Sequence, residues 1–494
     1  MFAKFMTSFA AFLWGWPIII IMLGTGLVYT IATKGFQFRY LGYTLKQTFG
    51  KLTKKEEQKG EEGILSPLEA ISIAVGGTVG VGNIGGVATA IAVGGPGAIF
   101  WMWVAALFGM LIKMVEVSLA VHYRTKDEEG KPFGGPMYYI KNGIGKDRHM
   151  PKLAKVLNFL FIFGMIAGIF ITMQCYNVSE AVSTTFNFNQ SLVAIFYTII
   201  IYVMISGGLK QLGKIASKIV PVMCVLYIGA GLVIILTNIG NLGTTFKLIF
   251  QGAFNGTAAV GGFSGATVML ALNKGLARSV FSNEAGQGTS PMIHSTATTD
   301  HPIRQGLWGV FEVFVDTILV CSITALAIVI TGQWSSGLAG SSLTLSAFNY
   351  TFGYAGQVIL AVAIFLFGIT TTTGWFTYYD ILLRYLFGNG KAKLKIRILK
   401  IYKWIYPLMG LWLVLYASFK GMPTEIVWNF ADVASGVPVL INVFALLILT
   451  PKFVELLKDY KGRYMGIGTY DPNYPVFYEQ KLQKSKIYGS KTNN

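Results

Sequence analysis

Eleven stretches of mostly apolar residues, each about 20 long, follow one another along the chain, near 11–32, 67–93, 97–122, 156–178, 191–207, 219–238, 264–299, 305–332, 355–379, 401–420 and 435–452. As a helix, each can cross a hydrocarbon core of roughly 30 Å. Lipid offers backbone groups no hydrogen-bond partners, so a crossing segment must satisfy its own N–H and C=O groups, as a helix does. The 494 residues are 53% hydrophobic and 13% charged, a balance that excludes a soluble multidomain protein. The expected fold class is an all-α polytopic membrane protein with about 11 transmembrane helices. The first stretch is too long for a cleaved signal peptide.

The net charge of +18 is unevenly placed. Of 40 Lys and Arg, 33 lie in 33–66, 123–155, 209–218, 380–403 and the tail from Lys452, alternating with the nearly uncharged connections 179–190 and 333–350. Positive charge is retained on the cytoplasmic side of a membrane. The alternation predicts a multi-pass protein of the cell membrane, with its N-terminus outside and its C-terminus cytoplasmic. A nucleic-acid partner would leave the alternation without a cause, so the partner implied by the charge is the lipid bilayer, with no nucleic acid. Cys175, Cys224 and Cys321 fall inside apolar stretches and read as small buried residues. The four histidines show no ligand spacing; His294 and His301, near a cytoplasmic turn, are expected to be solvated.

The second stretch is broken by Gly76-Gly77-Thr78-Val79-Gly80-Val81-Gly82-Asn83-Ile84-Gly85-Gly86. Six glycines in eleven residues weaken a helix and free backbone groups that lipid cannot satisfy. Such backbone is tolerated at membrane depth where it lines a protected cavity, and there it can bind a carboxylate and a cation. Setting the first stretch aside as an extra N-terminal helix leaves ten, or five plus five. Because five is odd, the second set crosses in the opposite sense, as in an inverted repeat whose halves each begin with a broken helix. The first stretch of the second set is indeed interrupted, at Phe281-Ser282-Asn283-Glu284-Ala285-Gly286-Gln287-Gly288-Thr289, where Gly286-Gln287-Gly288-Thr289 faintly echoes Gly80-Val81-Gly82-Asn83. A competing break at Gly261-Gly262-Phe263-Ser264-Gly265 remains open. The expected organisation is a transmembrane helix and cytoplasmic loop (1–66), two five-helix repeats (67–250 and 251–452), and a loosely ordered cytoplasmic tail (453–494).

Two further segments carry a resemblance. Gly94-Gly95-Pro96-Gly97-Ala98-Ile99-Phe100-Trp101-Met102-Trp103, running on to Gly109, is similar to the signature of the alanine or glycine:cation symporter family, also called the sodium:alanine symporter family. Arg278-Ser279-Val280-Phe281-Ser282-Asn283-Glu284-Ala285-Gly286 resembles that family's second motif. The resemblance spans roughly residues 10–450. Gly76 to Asn83 also resembles the broken first helix of neurotransmitter–sodium symporters, G-x-x-V-G-x-G-N. Together they imply a LeuT-type fold and sodium- or proton-coupled uptake of small neutral amino acids.

A zwitterion in a low-dielectric cavity needs donors for its carboxylate, acceptors for its ammonium and a pocket for its side chain. The backbone of Gly77, Thr78 and Gly80, with the Thr78 hydroxyl, is expected to serve the carboxylate at the start of the second half-helix. The competing explanation is close helix packing on small residues. Phe281, Ser282, Asn283 and Gly286 are expected to serve the ammonium and the pocket wall, against the alternative of an ordinary turn. Gln174 would bond ligand or a neighbouring helix, and Trp375 would cap the pocket or simply pack. Resemblance to the sodium symporters implies a Na+ site built from the hydroxyls of Thr370 and Thr371 and the carbonyls of Phe367, Gly76 and Val79. The alternative for the run Thr370-Thr371-Thr372-Thr373 is back-bonding within its own helix.

Acids inside spans call for a reason. Asp316, one turn from Glu312, is either a proton-coupling carboxylate or a buried anchor near Asn283 and Arg278. Lys113 and Glu116 are expected to snorkel or pair at the cytoplasmic end of the third stretch, and Glu284 reads as a gate or a structural acceptor. The function expected is secondary active symport of Na+ with a small neutral amino acid (alanine or glycine, possibly glutamine) by alternating access, with H+ coupling as the alternative. An ion channel, which also uses broken helices and carbonyls, is the remote rival. An enzyme would need convergent catalytic or metal ligands, and none is so spaced. No cofactor is expected beyond Na+ as coupling ion.

Overall fold

A computed structural model describes residues 2–51, 63–169, 173–255, 268–388, 392–420 and 424–482, and they are almost wholly helical. Helices α1 (Phe2–Leu13) and α2 (Trp16–Ala32) form the first apolar span. Ser66 starts α3 (Pro67–Thr78) with a capping box: its hydroxyl accepts from the Glu69 N–H at 3.1 Å, and Glu69 Oε2 accepts from the Ser66 N–H at 2.9 Å. The chain leaves the helix after Thr78 and resumes as α4 (Gly82–Gly94), bent by 45°. The first turn of α4 is a wide, π-type coil, a form that recurs at functional sites.

Helix α5 (Gly97–His122) leads to a small antiparallel ribbon, β1 (Thr125–Lys126) with β2 (Pro132–Phe133). There follow α6 (Pro151–Ile169), α7 (Met173–Phe186), α8 (Gln190–Ser206), α9 (Gly208–Thr237) and α10 (Leu242–Phe254). The second half runs α11 (Val268–Asn283), the single-turn α12 (Ser290–His294), α13 (Pro302–Ile330), α14 (Gly340–Phe352), α15 (Tyr354–Phe387), α16 (Ala392–Lys420) and α17 (Thr424–Met465). The second interruption lies between α11 and α12, where Glu284, Gly286 and Gly288 all take left-handed backbone angles. The competing break at 261–265 lies outside the described residues.

Packing builds two groups around the breaks. Helix α5 lies against α11 and α13, while α3 lies against α9 and α15. Flanking pairs are α7 with α15, α8 with α16, and α6 with α17. Large apolar side chains such as Phe163, Val225 and Trp412 stay exposed on the outer surface, as a lipid-facing wall requires.

Among the described residues, eight helices are long and apolar enough to cross a membrane, or nine when the bent pair counts as one span. Of the two remaining stretches, 191–207 is an apolar helix of 17 residues, and 264–299 runs partly outside the described residues and contains the second break. Two expectations need correction. The tail does not begin loosely at 453: residues 453–465 continue α17, and Phe477 and Tyr478 beyond it are buried. Lys113, Glu116, His294 and His301 are also buried rather than snorkelling or solvated, because each has a polar partner inside the protein.

Candidate functional site

The two breaks meet at one cavity. Its wall includes Gly77, Thr78, Gly80, Val81 and Gly82 from the first break, and Phe281, Glu284 and Gln287 from the second. Helices α6 and α7 add Met165, Gly168, Met173 and Gln174, α15 adds Thr371, Trp375 and Tyr379, α16 adds Tyr406, and α17 adds Ala434 and Ser435. Of the residues expected to bind substrate, the structure thus brings Gly77, Thr78, Gly80, Gln174, Phe281 and Trp375 together.

Ser282, Asn283 and Gly286 do not line this cavity, because other groups occupy them. The Ser282 hydroxyl bonds both oxygens of Asp316, at 2.9 and 3.1 Å. The Asn283 amide donates to Ser279 Oγ (3.2 Å) and Thr317 Oγ1 (3.1 Å), and its oxygen accepts from the Ala285 N–H. The Gly286 N–H donates to Glu116 Oε2 at 3.1 Å, and its carbonyl accepts from Asn442 at 2.8 Å. A helix with period 3.6 presents only one residue in three or four to a given neighbour, which is why Phe281 faces the cavity while Ser282 and Asn283 face α13.

Two expected donors are also engaged locally. The Gly80 N–H donates to Asn83 Oδ1 at 2.7 Å, and the Thr78 hydroxyl back-bonds to the carbonyls of Ala74 and Val75. The glycines answer partly to packing. A Cβ on Gly80 would strike Thr371 Oγ1, and one on Gly77 would strike the Tyr378 hydroxyl.

Of the five oxygens expected to hold a cation, those of Thr371, Gly76 and Val79 meet where α3 ends beside α15. Thr371 Oγ1 does not back-bond within its helix; it donates across to the Gly76 carbonyl at 3.0 Å and approaches the Val79 carbonyl at 3.5 Å. Thr370 Oγ1 bonds the Phe367 carbonyl at 3.0 Å and the Leu366 carbonyl at 3.2 Å. Thr372 turns the other way, to the Tyr197 hydroxyl at 2.6 Å, while Thr373 back-bonds to Ile369 and Thr370. An all-oxygen set of hydroxyls and carbonyls suits a hard, singly charged cation.

Asp316 ties the two breaks together. Its oxygens accept from Asn83 Nδ2 at 2.6 Å, from Ser282, and from Thr317 Oγ1 at 2.7 Å. Asn283 joins through Thr317, whereas Arg278 forms a two-bond ion pair with Asp432, both at 3.0 Å. Lys113 crosses from α5 to the second break, donating to the Glu284 carbonyl (3.1 Å) and Ser290 Oγ (2.9 Å), with Glu312 Oε1 at 3.5 Å. Glu312 Oε2 also meets Ser290 and His294, each at 3.1 Å. Of the two expectations for Lys113, snorkelling or pairing, the structure shows pairing, inside the protein and with three polar partners.

A family model described as the sodium:alanine symporter family matches residues 1–467. The chain belongs to the sodium:alanine symporter family. Among its relatives, the sodium/alanine symporter AgcS of Methanococcus maripaludis is 36% identical over 93% of this chain and 97% of its own. The uncharacterized transporter YflA of Bacillus subtilis is 39% identical over 91% of both chains. The fold is of the LeuT type: MhsT, solved in complex with L-phenylalanine, superposes with a TM-score of 0.52 at 13% identity, over 82% of this chain and 90% of that one. This member of the family is a multi-pass membrane transporter, a cation-coupled amino-acid symporter rather than an enzyme.

Sequence reading of this symporter missed Glu284, Gln287, Tyr379, Tyr406, Gly168 and Ala434 as cavity wall. Polar residues at the second break gave a signal for Glu284 and Gln287. Nothing in the apolar runs around Gly168, Tyr379 or Ala434 marks them, because which face of a span looks inward depends on its neighbours.

Proposed function

We propose that this symporter couples Na+ entry to uptake of a small neutral amino acid by alternating access in the cell membrane. Alanine or glycine is the substrate of first choice, with glutamine next; H+ coupling is the competing reading. Two five-helix repeats, 67–250 and 251–452, rock about the shared cavity, with the N-terminus outside and the C-terminus in the cytoplasm. The observation that carries this reading is Thr371: its hydroxyl reaches from α15 to the carbonyls of Gly76 and Val79, and the same residue lines the cavity.

Na+ takes the oxygens of Gly76, Val79, Phe367, Thr370 and Thr371, which draws α3 against α15 and shapes the adjoining cavity. With the Gly80 N–H engaged, the substrate carboxylate is left to the amides opening α4, at Val81 and Gly82, where a helix start has unbonded N–H groups. Glu284, whose carboxylate is held by the Thr289 hydroxyl, accepts from the ammonium. Gly77, Thr78, Gln174, Phe281 and Trp375 close around the side chain. Ser282, Asn283 and Gly286 act behind them, holding the break in shape.

Alanine uptake into proteoliposomes tests this reading, with an inward Na+ gradient and then with K+ replacing Na+. Accumulation is expected with Na+ alone. In Thr371→Val, which keeps the shape and removes the oxygen, the half-saturating Na+ concentration should rise about tenfold, since a ligand of this kind contributes about 1–3 kcal/mol. Thr371→Ser should retain most activity. Na+-independent accumulation following a pH gradient would replace Na+ with H+; flux that never exceeds equilibrium would indicate a channel.

A further inference from the structure

At the end of the bundle carrying the basic loops, the segments leading into α3 and out of α12 are stitched together by backbone bonds. The Ile64 and Leu65 N–H groups donate to the Thr296 carbonyl at 2.8 and 3.2 Å, and the Thr298 N–H donates to the Leu65 carbonyl at 2.9 Å. Each segment is joined to one of the two breaks by a half-helix: 63–65 through α3 (Pro67–Thr78), and 295–298 through α12 (Ser290–His294). Arg124, just beyond α5 and 4% exposed, holds this seam from the side: its Nη1 donates to the Ser295 carbonyl (3.1 Å) and the Ala297 carbonyl (2.8 Å). Carbonyls that follow a helix end are left without intrahelical donors, and a guanidinium satisfies two at once.

The C-terminal segment covers the pin. The Phe477 ring lies 4.9 Å from the Arg124 guanidinium carbon and packs on Val117 and Val121 of α5. Three contacts fix the segment: His122 Nδ1 with the Val476 carbonyl at 2.7 Å, the Lys126 N–H to Glu479 Oε1 at 2.7 Å, and Lys481 Nζ to Asp147 Oδ1 at 2.8 Å.

We propose that Arg124 is the pin of a cytoplasmic gate, and that the C-terminal segment around Phe477 sets how firmly it holds. Resting on the alternating-access reading, the inference is that α3 swings outward only when its seam with 295–298 opens. Arg124 keeps the far side of that seam in place. Phe477 shields the guanidinium from water and so strengthens its bonds to the carbonyls. A change that lifts the tail therefore shifts the carrier toward the cytoplasm-open state without touching the cavity.

The test uses the full-length protein carrying Ser72→Cys, a buried position on α3, in inside-out vesicles treated with a membrane-impermeant maleimide; protein with the native Cys175, Cys224 and Cys321 alone is the control. Arg124→Ala should raise the labelling rate about tenfold, the scale of a lost charge-assisted bond. Phe477→Ala should raise it less, and Arg124→Lys should fall between wild type and Arg124→Ala. If labelling stays at the wild-type rate both in Phe477→Ala, which leaves Arg124 and its carbonyl partners in place, and in Arg124→Lys, which keeps the charge, the proposal is overturned, even where melting temperatures fall. Labelling reads gate opening whatever is carried. A wild-type protein that fails to accumulate alanine but shows these rate changes would overturn the substrate reading and keep the gate.

Discussion

The Tyr378 hydroxyl is buried and has no hydrogen-bond partner among the described residues, and it sits where a Cβ on Gly77 would have to go. Removing that oxygen should therefore cost little and open room. Tyr378→Phe is expected to leave thermal stability in detergent unchanged or slightly higher. Gly77→Ala should destabilise by about 1–3 kcal/mol through overpacking, and the double variant should recover most of the loss. A double variant no better than Gly77→Ala would mean that the glycine serves ligand approach rather than the contact with α15. At this scale the sequence was legible where residue type limits the chemistry: a run of four threonines beside a broken helix admits few uses, and the structure divides them, Thr371 reaching across to the Gly76 carbonyl while Thr370 and Thr373 back-bond within their own helix. It was not legible where a polar group has local competitors. The Gly80 N–H went to Asn83 and the Thr78 hydroxyl to its own helix, choices made by backbone geometry within a few residues.

Both broken helices could be recognised because glycine-rich, polar backbone cannot remain in lipid without a reason. What holds the breaks in place could not, since Asn83, Ser282, Asp316, Lys113 and Glu312 come from segments far apart in the chain. Lys113 is the plainest case. In sequence it is one cation near one acid, Glu116; in the fold Glu116 turns to Asn442 and Gly286, and Lys113 to Glu312, Ser290 and the Glu284 carbonyl. Replacing it as Lys113→Met would leave Glu312 buried without its cation, a loss of about 3–5 kcal/mol. Adding Glu312→Gln, which keeps an acceptor for Ser290 and His294, should restore part of that stability. Thermal melting of the single and double variants checks this: equal melting temperatures would show that the charge pair does not support the second break.

For the whole molecule, the apolar stretches gave the class and most of the spans, because burial in lipid is a property of composition over about 20 residues. Length and composition do not show how the end of the chain folds back, so the docking of Phe477 against α5 was out of reach. Orientation rests on the 33 basic residues gathered in five segments, and the fold offers exposed sites at both ends to test it. Glu129, in the basic loop after α5, and Phe188, in the uncharged connection after α7, are both exposed, and one membrane-length passage separates them. In intact cells, Phe188→Cys should react with an impermeant thiol reagent and Glu129→Cys should not; in inside-out vesicles the order should reverse. The native cysteines are buried and should give little background. Labelling of Glu129→Cys from outside would place the basic loops on the wrong side for positive charge. It would also turn the seam at 63–65 and 295–298 into an external gate, since the face on which α3 opens is set by the same topology.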